Sequence, residues 1–353
     1  MTVLPTYPLD GFHLEPEPVI LKSSDGVEFK VYTNILALAS PHFNTMFDHP
    51  QPSESKDGEP SEIIAEDPTG VQVIELPELG TTLDHLLRLV YPIPPPTFPG
   101  MSESGELTNS GEFVKALEPV LAAALKYEIK LVFEKVCASL LDAAEKTCPD
   151  GRVIHDTLAV RVYTIACQYR LKEIARRAAH VSLKGRIIGV FFEDFRKINA
   201  AQYFALVNFH RKMVSTMENA VEKGGGWASS YVKCRSCGRI AGYEENVAAW
   251  WLNWSDRARP IIVESPASEE IFSAGFLSDM YLKAKVCHSV QCSHISEKWD
   301  AIPKLIKEKM NEAIEKARCT SLDLVCCNNM HFRRTLISVR SNSILRACCR
   351  ESV

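Results

Sequence analysis

The chain has 353 residues, of which 46% are hydrophobic and 24% charged, and its formal net charge is −4. It is long and apolar enough to bury a substantial core in about two or three domains, which excludes a disordered polyelectrolyte and a membrane-embedded bundle. The mild acidity excludes a strong uniform field toward nucleic-acid phosphates and leaves only local basic patches for such a role.

Residues 1–17 contain Pro5, Pro8 and Pro16 with Asp10, Glu15 and Glu17, and lack the basic start and apolar middle of a secretion signal. They read as an irregular, disordered N-terminus, and a cytoplasmic or nuclear location is expected. The first strong pattern follows. Val27, Phe29 and Val31 alternate with Glu28 and Lys30, and Asp25-Gly26 precedes them. A two-residue period behind an Asp-Gly turn predicts a hairpin of Val19–Ser24 and Val27–Tyr32, with positive φ at both Asp25 and Gly26. Ile35, Leu36, Leu38 and Ala39 then take up helical spacing, and Ser40-Pro41 interrupts before Phe43, Met46 and Phe47.

Residues 48–70 are rich in Pro, Ser, Glu and Asp and read as a solvated loop. Val71, Val73, Ile74 and Leu76 predict a strand; Leu83, Leu86, Leu87 and Val90 predict a helix that Tyr91-Pro92 ends. Prolines 92, 94, 95, 96 and 99 make residues 92–112 irregular. Helices are expected from Pro119 onward, with Pro119 in a first turn. Their stripes are Leu117, Val120, Leu121, Ala124 and Leu125; then Phe133, Val136, Cys137, Leu140, Leu141 and Ala144; then Leu158, Val162, Ile165, Ala166 and Tyr169; then Leu171, Ile174, Ala175, Ala178 and Ser182. An Ala-x-x-Tyr pattern recurs at Ala124–Tyr127 and Ala166–Tyr169. Phe191, Phe195 and Ile198, and then Phe204, Val207, Val214 and Met217, predict two further helices.

Ser24-Asp25-Gly26-Val27-Glu28-Phe29, Leu36-Ala37-Leu38-Ala39-Ser40-Pro41, Val73-Ile74-Glu75-Leu76-Pro77-Glu78 and Leu83-Asp84-His85-Leu86-Leu87-Arg88 together resemble a BTB/POZ domain, in particular those of mushroom-forming fungi. The resemblance implies an α+β fold: a small sheet flanked by helices over residues 18–146, followed by a helical, BACK-like extension over 147–223. It also implies a protein-binding adaptor that associates with itself or with a cullin-type scaffold, in ubiquitin-ligase recruitment or transcriptional regulation. The Pro-rich start shows no extra strand and helix of the type that swaps between protomers in BTB transcription factors.

Lys223-Gly224-Gly225-Gly226 marks a boundary, and residues 224–318 carry the chemistry. Cys234 and Cys237 form a Cys-x-x-Cys pair followed by Gly238, and a second cluster holds Cys287, His288, Cys292 and His294. Two thiolates on a tight turn can share one zinc ion, and a second pair completes closed tetrahedral coordination. The expected ligands are Cys234, Cys237, Cys287 and Cys292, with His288 and His294 as alternates; similarly placed cysteine pairs occur in the fungal BTB chains this region resembles. Unliganded thiols, a redox dithiol and a catalytic zinc are the competing readings, the last with only Glu244, Glu245 and Glu297 nearby as acids. Trp227, Trp250, Trp251 and Trp254 lie between the clusters and read as the core of a small zinc-stabilised, mixed module rather than a stacking platform.

Ile302, Leu305, Ile306, Ala313, Ile314 and Ala317 predict a helix packed on this module. Residues 319–353 combine Cys319, Cys326, Cys327, Cys348 and Cys349 with Arg333, Arg334, Arg340, Arg346 and Arg350, and read as an irregular basic tail. His42, His155 and His210 are isolated, and no nucleophile elbow or metalloprotease signature is present, so no enzyme is expected. The alternative functions are a zinc-dependent nucleic-acid-binding regulator and a metal-dependent hydrolase; nucleic acid and membrane are not the expected partners.

Overall fold

The computed structural model describes residues 19–48, 64–66, 72–102, 105–145, 155–222, 233–237, 247–290, 292 and 302–321. The expected disordered start, the triple glycine and most of the basic tail lie outside them. Strands β1 (Val19–Lys22) and β2 (Glu28–Val31) form the predicted hairpin, with Val19 opposite Val31 and Leu21 opposite Phe29. Of the turn residues, only Gly26 has positive φ, at 81°. The turn therefore differs from the predicted Asp-Gly type: Gly26 N–H donates to Ser23 O at 2.9 Å and Ser23 N–H to Val27 O at 2.8 Å. This is the longer hairpin loop in which a left-handed glycine restores the pairing. Asp25 is recruited elsewhere, because its Oδ1 accepts from Ser23 Oγ at 2.6 Å and from Gly80 N–H at 2.8 Å. Those two bonds, Ser23 first, hold its carboxyl below the usual range.

Helices α1 (Thr33–Ala39) and α2 (Pro41–Asp48) break at Ser40, as Pro41 requires. Ser40 is buried; its Oγ accepts from Phe43 N–H at 3.0 Å and donates to the Tyr127 carbonyl. Phe43 stacks on the Tyr127 ring at 4.9 Å, and these contacts fix the helix pair to the later bundle. The stretch expected to be only a solvated loop contributes strand β3 (Ile64–Glu66), which is a correction. It pairs antiparallel with β4 (Gln72–Glu75), and β4 runs parallel to β1, giving a four-stranded sheet in the order β2-β1-β4-β3. Three residues are too short to announce a period, and neighbouring prolines and acids obscured them.

Helix α3 (Gly80–Val90) ends at Tyr91 as predicted. Helix α4 (Ser110–Lys126) begins well before Pro119, which sits inside it and not in its first turn. The start is set by Asn109, whose Oδ1 accepts from Gly111 and Glu112 N–H at 3.1 and 3.2 Å. Pro119 removes one backbone donor, but burial of Phe113, Val114 and Leu117 ahead of it and Val120 and Leu121 behind it carries the helix through. Helices α5 (Lys130–Glu145), α6 (His155–Gln168) and α7 (Lys172–Val181) follow the predicted stripes.

The repeated Ala-x-x-Tyr marks one recurring device. After Tyr127 and Tyr169 the chain takes left-handed φ at Glu128 (55°) and Arg170 (58°). Ile129 N–H then donates to Ala124 O at 2.9 Å, and Leu171 N–H to Ala166 O at 2.7 Å. Each turn is a Schellman-type stop that closes α4 onto α5 and α6 onto α7, with the alanine carbonyl as acceptor and the next aliphatic residue buried.

The helix predicted around Phe191, Phe195 and Ile198 is only a 3₁₀ turn (Glu193–Lys197). Phe191 lies largely in solvent, with the Arg196 guanidinium over its ring, so the apolar spacing there does not describe one buried face. Helices α8 (Ala200–Glu222), α9 (Ala249–Glu264), α10 (Ala274–Val286) and α11 (Ile302–Ser321) complete the fold, the last running past the predicted limit of 318. α8 packs against α9 and α11, and one continuous buried cluster extends from Val19 to Ile314. The class is α+β. Among the described residues, no helix is long and apolar enough to cross a membrane.

Candidate metal centre

The four predicted cysteines converge. Cys234 and Cys237 lie on a turn beside an isolated antiparallel bridge, Lys233 to Val247, which leads into α9. Cys287 follows the last residue of α10, and Cys292 lies just beyond. The thiol sulfurs of Cys234, Cys237, Cys287 and Cys292 all lie within 4.8 Å of one another and can hold a metal ion. Cys234 Sγ is 3.8 Å from Cys287 Sγ, and Cys237 Sγ is 3.7 Å from Cys292 Sγ, far beyond the ~2.05 Å of a disulfide. Cys234 and Cys292 are buried, while Cys237 and Cys287 are partly exposed.

Ser289 is a member of the site that sequence reasoning missed. Its Oγ lies 3.0 Å from Cys234 Sγ and 3.4 Å from Cys287 Sγ, and accepts from Cys292 N–H at 3.3 Å. It ties both clusters together; its position between Cys287 and Cys292 was the available signal. Ala249 N–H, at the start of α9, points at Cys237 Sγ over 3.4 Å. A helix N-terminus and a hydroxyl thus supply donors to sulfur, the arrangement that supports thiolates.

Their effect on the thiols is uneven. At Cys234 burial acts upward, but the N–H groups of Cys237 and Ser236 and the Ser289 hydroxyl outweigh it, bringing the thiol down to about 6. Burial dominates at Cys237, pushed up to about 11, and at Cys292, also raised. Without a cation the site accommodates one thiolate readily and resists further negative charge.

His288 is exposed and does not join the four sulfurs. His294, Gly238, Glu244, Glu245 and Glu297 lie outside the described residues. Two other cysteines stand apart: Cys167 is buried on α6, and burial pushes the Cys137 thiol on α5 up to about 12.

The indoles behind the site are core. Trp250, Trp251 and Trp254 are fully buried, with Trp250 and Trp251 edge to face at 5.9 Å and Trp251 and Trp254 tilted at 5.1 Å. Trp251 Nε1–H donates to Val221 O of α8 at 3.0 Å, and Trp254 Nε1–H to Ile271 O at 3.1 Å. Buried this way they present no stacking face to a ligand. Trp227 is outside the described residues.

No protein-family model matches the chain. No curated protein matches it either.

Proposed function

We propose that this chain is a non-catalytic protein-binding adaptor with a BTB/POZ-type platform at residues 18–146 and a structural zinc ion held by Cys234, Cys237, Cys287 and Cys292. The platform reading rests on the motifs quoted above and on how they meet. Ser24 N–H donates to Glu78 O at 3.0 Å, Asp25 accepts from Gly80 N–H, and the Tyr127 hydroxyl donates to the Glu78 carboxylate. The Ser-Asp-Gly turn, the Leu-Pro-Glu strand end and the end of α4 therefore form one connected face. A small sheet flanked by helices is also the fold that the resemblance implies.

The zinc reading is carried by a single observation, the sulfur spacing. A tetrahedral centre with Zn–S bonds of ~2.3 Å has edges of ~3.8 Å, and the two contacting pairs stand at 3.8 and 3.7 Å. Four thiolates would close the coordination sphere, which favours a structural over a hydrolytic role. Zinc would supply the positive charge that lets all four sulfurs ionise, while Ala249 N–H and Ser289 orient the sulfurs.

Elemental analysis of purified protein is the direct test. One zinc ion per chain is expected in the wild type and none in the Cys234→Ser/Cys237→Ser variant; metal-replete wild type without zinc would sink the site. For the platform, light scattering after size exclusion and titration with a purified cullin-type scaffold are expected to show self-association or complex formation. A strict monomer at high concentration that also ignores the scaffold would refute it.

A further inference from the structure

Outside the thiol cluster, α10 carries a pattern that neither the core nor the metal accounts for. Its inner face, Leu277, Met280 and Ala284, is buried. On the opposite side Leu282 is 56% and Val286 73% exposed; the helix stops at Cys287, whose backbone is extended, and Val290 beyond it is 83% exposed. Residues four apart in a helix stand on one face. At about 100° per residue, Lys283 and Lys285 fall about 80° to either side of the Leu282–Val286 stripe. Both lysines are exposed, so the stripe is bracketed by positive charge.

The cysteine contacts add to this charge. The 3.8 Å approach of Cys234 to Cys287 brings the exposed Lys233 and Arg235 of the first knuckle beside the end of α10. No carboxylate occurs in 233–237 or 280–290, and His288 is also exposed. The nearest acid on the helix is Asp279, one turn back, and it is engaged by Arg257 at 2.8 Å.

We propose that this face docks an acidic amphipathic helix of a partner protein, whose aliphatic residues cover Leu282 and Val286 while its carboxylates meet Lys283, Lys285, Lys233 and Arg235. Charge complementarity selects the occupant. Phosphate backbones would meet aliphatic side chains along the middle of the face, where a continuous basic track is needed. A bilayer would gain little from so few aliphatic groups compared with the long apolar face of an interfacial helix. A short amphipathic helix matches both the stripe and its borders. The inference rests on the zinc reading in one respect: the assembled thiol centre is what holds the first knuckle beside the end of α10.

The test uses full-length protein of measured zinc content and a fluorescein-labelled synthetic helix with leucines at heptad a and d positions and glutamates elsewhere. Saturable anisotropy that weakens with salt is expected. Leu282→Asp/Val286→Asp and Lys283→Glu/Lys285→Glu should each weaken it ~10-fold or more while zinc content stays unchanged. The counterpart peptide with lysines for glutamates should not bind. Absence of saturable binding to zinc-loaded wild type overturns the proposal, as does binding that both double variants retain. Preference for single-stranded DNA or for anionic phosphatidylserine vesicles over the acidic peptide overturns it in favour of those ligands. Zinc-free wild type would instead count against the metal reading.

Discussion

Acid should unfold this protein in part through His210, and the size of the effect follows from its surroundings. His210 is fully buried on α8, and its Nε2–H donates to Ser182 Oγ at 2.9 Å; that hydroxyl in turn donates to Ala179 O at 2.7 Å. Nδ1 has no hydrogen-bond partner among the described residues. The pocket thus accepts a neutral ring, and burial brings the pKa down from 6.5 to about 3. In the unfolded chain the same imidazole titrates near 6.5. Above that pH both states are neutral and the group makes no difference. As pH falls below it, the unfolded state binds a proton that the folded state refuses, and stability drops until pH reaches the folded value. At pH 5 the loss is about 2 kcal/mol, rising to about 4 kcal/mol near pH 3. Urea denaturation at pH 8 and pH 5 measures this, with His210→Phe as the comparison. Carboxylates and thiol–metal equilibria contribute to both proteins, so the difference between their pH dependences isolates the imidazole. The variant should lose about 2 kcal/mol less than wild type between the two pH values. Equal losses would refute the reasoning.

Glu128→Gly and Arg170→Gly, alone and combined, should raise stability by about 0.5–1 kcal/mol each, because glycine relieves the left-handed strain without disturbing the stops. Thermal melts check this, and a lowered Tm would show that side-chain contacts at these positions outweigh the backbone term. Tyr91→Phe should cost about 1–3 kcal/mol by urea denaturation, since it deprives the Tyr32 N–H of the hydroxyl that accepts it at 2.9 Å. A neutral result would mean that water reaches that amide.

Much was legible along the chain because its cause is local. The alternation of Val27, Phe29 and Val31, the stripes of α3 and α5 to α7 and the break at Ser40-Pro41 report which side of a strand or helix is buried, or where a backbone donor is missing. The Cys-x-x-Cys pair likewise announced half of the four-thiol cluster through a spacing that one turn can satisfy. Where the local cue was ambiguous, the reading strayed. Pro119 looked like a first turn but lies within α4, and the aromatic spacing at Phe191, Phe195 and Ile198 was not a helix.

Other features belong to the tertiary structure alone. β3 exists because β4 offers its edge, and Asp25 turned from the hairpin to α3 because Gly80 brings its N–H there. The four thiols meet across a separation of 53 residues only once α10 packs against the indole-bearing α9, and the same packing leaves His288 in solvent and draws Ser289 in. Periodicity records which face of an element avoids water. Which partner covers that face, and what chemistry the partners bring together, depends on contacts between distant residues that no local spacing encodes.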